Sequence, residues 1–179
     1  MGWMGHPTEG LMGMATPEEI DLLSEAPSNE ADRLFLRLMI PHHQGAIAMA
    51  EVALKNAEHQ EIRDLAEDIV VAQRDEIKEL KAIKEQEFGT SEVPMEMSAQ
   101  EMEAMGMMDP EELANKEPFD KAFIDAIIPH HRSAIEMANA AYRENNNLEI
   151  RALAETIVDA QTREIAQMTA RRREWYPEG

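Results

Sequence analysis

Sliding this 179-residue chain against itself by 88 positions aligns "DRLFLRLMIPHHQGAIAMA" with "DKAFIDAIIPHHRSAIEMA" and "EIRDLAEDIVVAQRDEI" with "EIRALAETIVDAQTREI". Between Asp32–Leu80 and Asp120–Met168, 23 of 49 positions are identical without a gap. One unit is used twice, so whatever it folds into must pack against its own copy. A weaker echo, "GMATPEEI" from Gly13 and "GMMDPEEL" from Gly106, gives each unit a preamble.

Each unit reads as two helices. In the first, from about Asn29 to Ala57, Arg33, Arg37, Gln44, Glu51 and Lys55 form a polar stripe, with Phe35, Leu38, Ala46, Met49 and Ala53 opposite. The second, from about Gln60 to Phe88, gathers Ile62, Leu65, Ile69, Ala72, Leu80 and Ile83 on one face, and Gly89 stands where a stop is expected. The short links "AEHQ" and "ENNN" make each pair an antiparallel hairpin. A long connection, residues 89–117, joins the two hairpins. This short-long-short pattern predicts an all-α, ferritin-like four-helix bundle with a crossover running from one end to the other. The expected organisation is an amino-terminal segment, 1–28, followed by one bundle domain, 29–179, with hairpins at 29–88 and 118–175.

Composition narrows the chemistry. The net charge of −19 repels phosphate backbones, so nucleic acid is a poor partner. With no cysteine, disulfides, thiolate nucleophiles and thiolate metal sites are excluded, and any metal must use His, Met, Asp or Glu. No apolar run approaches the roughly 20 residues of a membrane span. The start "MGWMGHPTEG" lacks the apolar core of a signal peptide, and fourteen methionines without one cysteine suit an oxidising compartment.

Two adjacent histidines follow a proline inside each first helix. At 100° per residue His42 lies about 160° from Gln44, at the centre of the buried face, while His43 lies on its flank with Met39. Glu76 shares the apolar face of the second helix. His42 and Glu76 stand at matched heights, ~25 Å from the hairpin tip, and so are expected to meet. His130 and Glu164 repeat the construction. Packed about a pseudo-twofold axis, His42, Glu76, His130 and Glu164 form one layer, with His43, His131, Gln73 and Gln161 around it. Pro41 and Pro129 each remove a helical hydrogen bond next to the histidines, which re-aims the imidazoles. A buried carboxylate needs compensation, by a His-Glu pair or by a bound cation. Histidines and glutamines that merely satisfy one another across the core are the alternative.

Thioether sulfur is a soft ligand that needs no deprotonation, so methionines together with histidines select Cu(I) over Mg, Ca or Mn. The crossover carries Met95, Met97, Met102, Met105, Met107 and Met108, and the amino-terminal segment His6, Met12 and Met14. Met39 and His43, at i and i+4, are spaced for chelation. Hydrophobic cover of the bundle is the competing role for any single methionine.

The tandem "MIPHHQGAIAMA" and "IIPHHRSAIEMA", each followed by "EIRxLAExIVxAQxxEI", resembles the bacterial domain of unknown function 305 family, whose members are ferritin-like four-helix proteins and include extracytoplasmic copper-binding proteins. The resemblance covers roughly Gly10 to Arg172. It implies that His42, His43, His130 and His131, with Met39, are the metal ligands, and that copper handling in the periplasm or outside the cell is the role. This chain departs from the pattern at Ile127, which replaces a methionine, and at Arg132, which sets a positive charge beside the second histidine pair.

The expected function is therefore non-catalytic sequestration or transfer of Cu(I), and of Cu(II), with Glu76 and Glu164 supporting the histidines or adding ligands. A copper-transfer protein is the expected partner. The first rival is a di-metal iron or manganese oxidoreductase or storage protein. It is disfavoured because such sites use four carboxylates and paired Glu-x-x-His motifs, whereas this layer has two glutamates and the chain has no Glu-x-x-His. The second rival is a metal-free binding bundle with a pH-sensitive histidine layer. No sequence motif for hydrolytic or nucleophilic catalysis is present.

Overall fold

The computed structural model describes residues 28–89, 109–144 and 147–178. They form five helices: α1 (Ser28–Asn56), α2 (Gln60–Phe88), α3 (Pro110–Ala114), α4 (Phe119–Glu144) and α5 (Leu148–Trp175). The hairpins α1–α2 and α4–α5 lie at the positions read from the repeat. The first hairpin's helices, expected from about Asn29 to Ala57 and from about Gln60 to Phe88, lie within a residue of those positions.

Each terminus has a local cause. Gly89 ends α2 in the left-handed conformation, φ 76°, and its N–H bonds the Glu85 carbonyl. Asn147 caps α5 by accepting from the N–H groups of Glu149 and Ile150. The short α3 was not expected from periodicity, because five residues are too few to show one. Its signal is chemical: Asp109 accepts from Glu111 N–H, Pro110 starts the helix, and Glu111 and Glu112 complement its dipole.

The expected apolar faces turn inward, with Ala72 only half-buried. Within each hairpin the two helices pack along their length, and α1 also packs on α4. The core divides into two clusters. One joins Phe35, Leu36 and Met39 near the start of α1 to Leu80 and Ile83 of α2, Ala138 and Ala141 late in α4, and Ile150 and Ile157 early in α5. The other joins Met49 and Ala53 late in α1 to Ile62 and Ile69 of α2, Phe119 and Phe123 early in α4, and Met168 late in α5. The first half of α1 thus meets the last half of α4, so the two helices run antiparallel. That arrangement requires the chain to travel the bundle's length between α2 and α4, as a ferritin-like order demands. Met49 and Met137 are core residues. Residues 90–108 of the crossover, which hold its methionines, lie outside the described residues.

Candidate metal centre

Between the two apolar clusters, at the waist of the bundle, lies a polar layer. His42, His43, His130 and His131 are all buried, together with Gln73, Glu76 and Gln161. The helical register explains this. Adjacent residues on a helix point about 100° apart, so one histidine of each pair faces the opposite hairpin and the other faces its own hairpin partner.

His42 and His130 face each other across the two units. Their rings stack, with centroids 3.7 Å apart and planes inclined by 24°. His43 and His131 face α2 and α5. His43 Nε2 lies 2.8 Å from Glu76 Oε1, and His131 Nε2 lies 2.7 Å from Glu164 Oε1. The expected meeting of His42 with Glu76, and of His130 with Glu164, is therefore corrected: each carboxylate meets the second histidine of its pair. Matching heights alone selects the wrong ring because a glutamate side chain easily spans one residue of axial offset, whereas it cannot span the turn from one helix flank to another. Both contacts link residues 33 apart within one hairpin, one fewer than the expected pairs, and the repeat fits either spacing equally well.

A carboxylate only accepts, so the Nε2 of His43 and of His131 carries a proton, and in the neutral ring this leaves Nδ1 as the atom with the lone pair. Neither Nδ1 has a hydrogen-bond partner among the described residues, and neither nitrogen of His42 or of His130 has one. Six buried ring nitrogens thus lack partners, where buried polar atoms are normally satisfied. Gln73 and Gln161 add further buried amide atoms without partners. Burial holds both stacked rings well below the usual histidine pKa, and the neighbouring imidazoles push in the same direction. At neutral pH His42 and His130 are uncharged, the state in which imidazole binds a cation.

The donor set fits a soft or borderline cation: neutral imidazoles, two carboxylate-oriented rings, and the thioether of Met39, buried one turn before His43. Among the described residues no three His, Asp or Glu side chains already converge as a metal-binding group. Imidazole lone pairs lie in the ring plane, so stacked rings cannot both aim at an ion placed between their faces. Side-chain rotation at the waist is needed before several of these donors share one ion. His6, Met12, Met14, Met95, Met97, Met102, Met105, Met107 and Met108 lie outside the described residues.

A second buried constellation was missed in the sequence. Asp120, wholly buried at the start of α4, accepts from the N–H groups of Glu58 and His59, each at 2.9 Å, and pairs with His59 Nδ1 at 2.5 Å. The His59 ring stacks on Trp175 at 3.6 Å. This assembly locks the tip of the first hairpin to the second. Its signal was the shared aspartate that opens both aligned stretches, Asp32 and Asp120. Burial, and then the neighbouring Glu87, raise the Asp32 carboxyl pKa to about 6.

Solved structures with the same architecture carry substantial sequence identity. CopM in its Cu(II)-bound form superposes with a TM-score of 0.76 and 39% identity, over 81% of this chain and 97% of that one. A fragment from Deinococcus radiodurans, a domain of unknown function 305, superposes with a TM-score of 0.70 and 25% identity over 81% and 97%. Uncharacterized protein L153 of Acanthamoeba polyphaga mimivirus is 38% identical over 52 residues, 29% of this chain; the match spans about a third, 34%, of that relative's length. The family model for the domain of unknown function 305 matches twice, over residues 2–84 and 82–172, once for each unit. The chain belongs to the domain of unknown function 305 family.

Proposed function

We propose that this protein binds copper as cargo, sequestering it or passing it on outside the cytoplasm, without catalysing a reaction. The observation that carries the reading is the set of six unpartnered ring nitrogens on four buried histidines, two of them held neutral by burial. The similarity to CopM, solved with Cu(II), with Cu(I) and with silver bound, supports copper over other metals. His42, His43, His130 and His131 are the principal ligands, and Met39 supplies a thioether to the first unit. Glu76 and Glu164 orient His43 and His131 and balance the positive charge of the ion. The methionines of the amino-terminal segment and the crossover capture the ion and deliver it to the waist or to a copper-transfer partner. Residues 29–179 act as one domain, working in the periplasm or after secretion. No helix among the described residues is long and apolar enough to cross a membrane.

A di-iron reading is less well supported. The two glutamates of the layer are already engaged with histidines, and a carboxylate-rich site would need four.

Titration of the metal-free protein with Cu(I), Cu(II), Fe(II) and Zn(II) tests the proposal. Copper is expected to bind tightest. Replacing His42, His43, His130 and His131 together by asparagine, with helix content checked by circular dichroism, is expected to remove the bundle-bound copper. Unchanged copper stoichiometry in a folded variant, or an oxo-bridged di-iron spectrum from the parent, overturns it.

A further inference from the structure

The second hairpin carries a groove in which Arg132 and Arg173 have no basic counterpart in the first hairpin, although Arg172 corresponds to Lys84 and Thr169 to Lys81. The groove encloses about 500 Å³ between α4 and α5, and its lining includes Ile128, Arg132, Thr169, Arg172, Arg173 and Tyr176. In a chain of net charge −19, three guanidinium groups on one groove reverse the local sign.

The duplication provides an internal control. Shifted back by 88 residues, Ile128 corresponds to Ile40 and Tyr176 to Phe88, so the apolar walls are kept. Arg132 corresponds to Gln44 and Arg173 to Glu85. The first hairpin forms the same helix pair with an amide and a carboxylate at those places, so the fold does not need the two arginines. The dipole of α5 accounts for a cation in its last turn, but not for Arg132 in the middle of α4.

The three arginines also differ in their engagement. Arg172 is forked onto Asp125, through Nε at 2.5 Å and Nη2 at 3.2 Å. That pair neutralises Asp125, and no carboxylate is among the residues lining the groove. Arg132 and Arg173 are exposed and have no carboxylate partner among the described residues.

We propose that this groove is an oxyanion site for a polycarboxylate. Arg132 and Arg173 hold separate carboxylates, and the carbon skeleton between them lies over Ile128. Two guanidinium groups arriving from different helices over an apolar floor suit a ligand whose charges are separated by carbon, better than a single compact phosphate. Thr169 adds a hydroxyl donor. Arg132 follows His131 directly in sequence, but no histidine lines the groove, and its chemistry does not depend on any metal at the imidazole layer.

The probes are tricarballylate, a short polyglutamate peptide and inorganic phosphate, added to the full-length metal-free protein at about 150 mM salt, where exposed charges beyond about 8 Å are screened. Isothermal titration is expected to show saturable one-to-one binding of a carboxylate probe. In R132Q/R173E, which installs the first unit's residues and so keeps the fold, binding is expected to weaken roughly tenfold or more as two charge-assisted forks are lost. Tighter binding of tricarballylate assigns the carboxylates to a free acid, and tighter binding of the peptide assigns them to a chain segment. Three results each overturn the proposal: no saturation with either carboxylate probe, phosphate binding at least as tightly, or an unchanged affinity in R132Q/R173E.

Discussion

His42 and His130 occupy the same position in the two units and lie ring on ring, 3.7 Å apart, so the pseudo-twofold axis of the bundle passes between them. Neither ring can take up a proton without charging the other's surroundings. Burial and the neighbouring imidazoles keep both well below their ordinary pKa of 6.5.

The sign of the resulting pH dependence follows. Below pH 6.5 the unfolded chain binds a proton at each histidine and the native state does not, so this stability is fully present above 6.5 and is lost as pH falls. Each ring contributes a slope of about 1.4 kcal/mol per pH unit once the unfolded histidine is protonated. Asp32 works in the opposite sense: raised from 3.8 to about 6, it favours the native state at low pH and loses that contribution as pH rises toward 6. Urea unfolding of metal-free protein at pH 7, 6 and 5 should show wild type losing stability relative to H42Q/H130Q as the solution is acidified. Parallel profiles for the two proteins would mean that the stacked rings titrate normally.

Glu76 and Glu164 fix the tautomers of His43 and His131 through the Nε2 contacts. In E76Q the amide retains the shape and a hydrogen bond but no longer demands a proton on Nε2, and it withdraws the negative charge that makes the ring a better donor. The expected outcome is a weakening of copper binding by about 10–100-fold at the first unit with the helical melting transition largely kept. E164Q should act in the same direction on the second unit. Competition titration against a chelator of known affinity measures both, and equal affinities for E76Q and wild type would remove Glu76 from the site.

At Gly89 the backbone alone decides. The residue has φ 76°, and a Cβ built there meets no atom within 4 Å, so G89A introduces no clash and pays only for the left-handed conformation. The expected loss is about 1 kcal/mol, read from the shift in denaturant midpoint at constant m-value. A loss several times larger would mean that the end of α2 is held by more than this cap.

The hairpins were legible because a 3.6-residue period sustained over 26 or more residues leaves one apolar face, and the repeat states it twice. That His42 and His130 point inward was legible for the same reason, with His43 and His131 placed on the flank. The partner of each carboxylate was not, because choosing between His42 and His43 depends on how α1 is rotated against α2, a packing quantity that no single helix encodes. The pairing of Asp120 with His59 was hidden differently. It joins residues 61 apart across the two hairpins, and only the topology brings them together. The arginines of the groove were visible only as a departure at Arg132, since Arg173 reads in sequence as an ordinary cation at a helix end.

Asp120 anchors one hairpin to the other outside the apolar core. Its two oxygens accept from two backbone N–H groups at the α1–α2 tip and pair with the His59 ring, and no part of it reaches solvent. In D120A the Glu58 and His59 N–H groups lose their acceptor where the rest of the tip still packs, and the His59 ring is released. The cost should be about 1–3 kcal/mol, from two part-buried donors left without their acceptor. D120N keeps one carbonyl acceptor and should lose about half as much. Trp175 offers a local reading, because its indole lies on His59 with the planes only 8° apart. Its emission, taken as the difference from W175F, should change in D120A under conditions where helix content by circular dichroism is still native. The equivalent end of the bundle uses Asp32, with Asn147 bonded to Glu87 at 3.1 Å in place of the histidine and tryptophan. D32A should therefore leave the Trp175 signal untouched. A Trp175 response to D32A as large as that to D120A would show that the two ends do not act separately, and that the anchor works through the whole bundle instead of at its own tip.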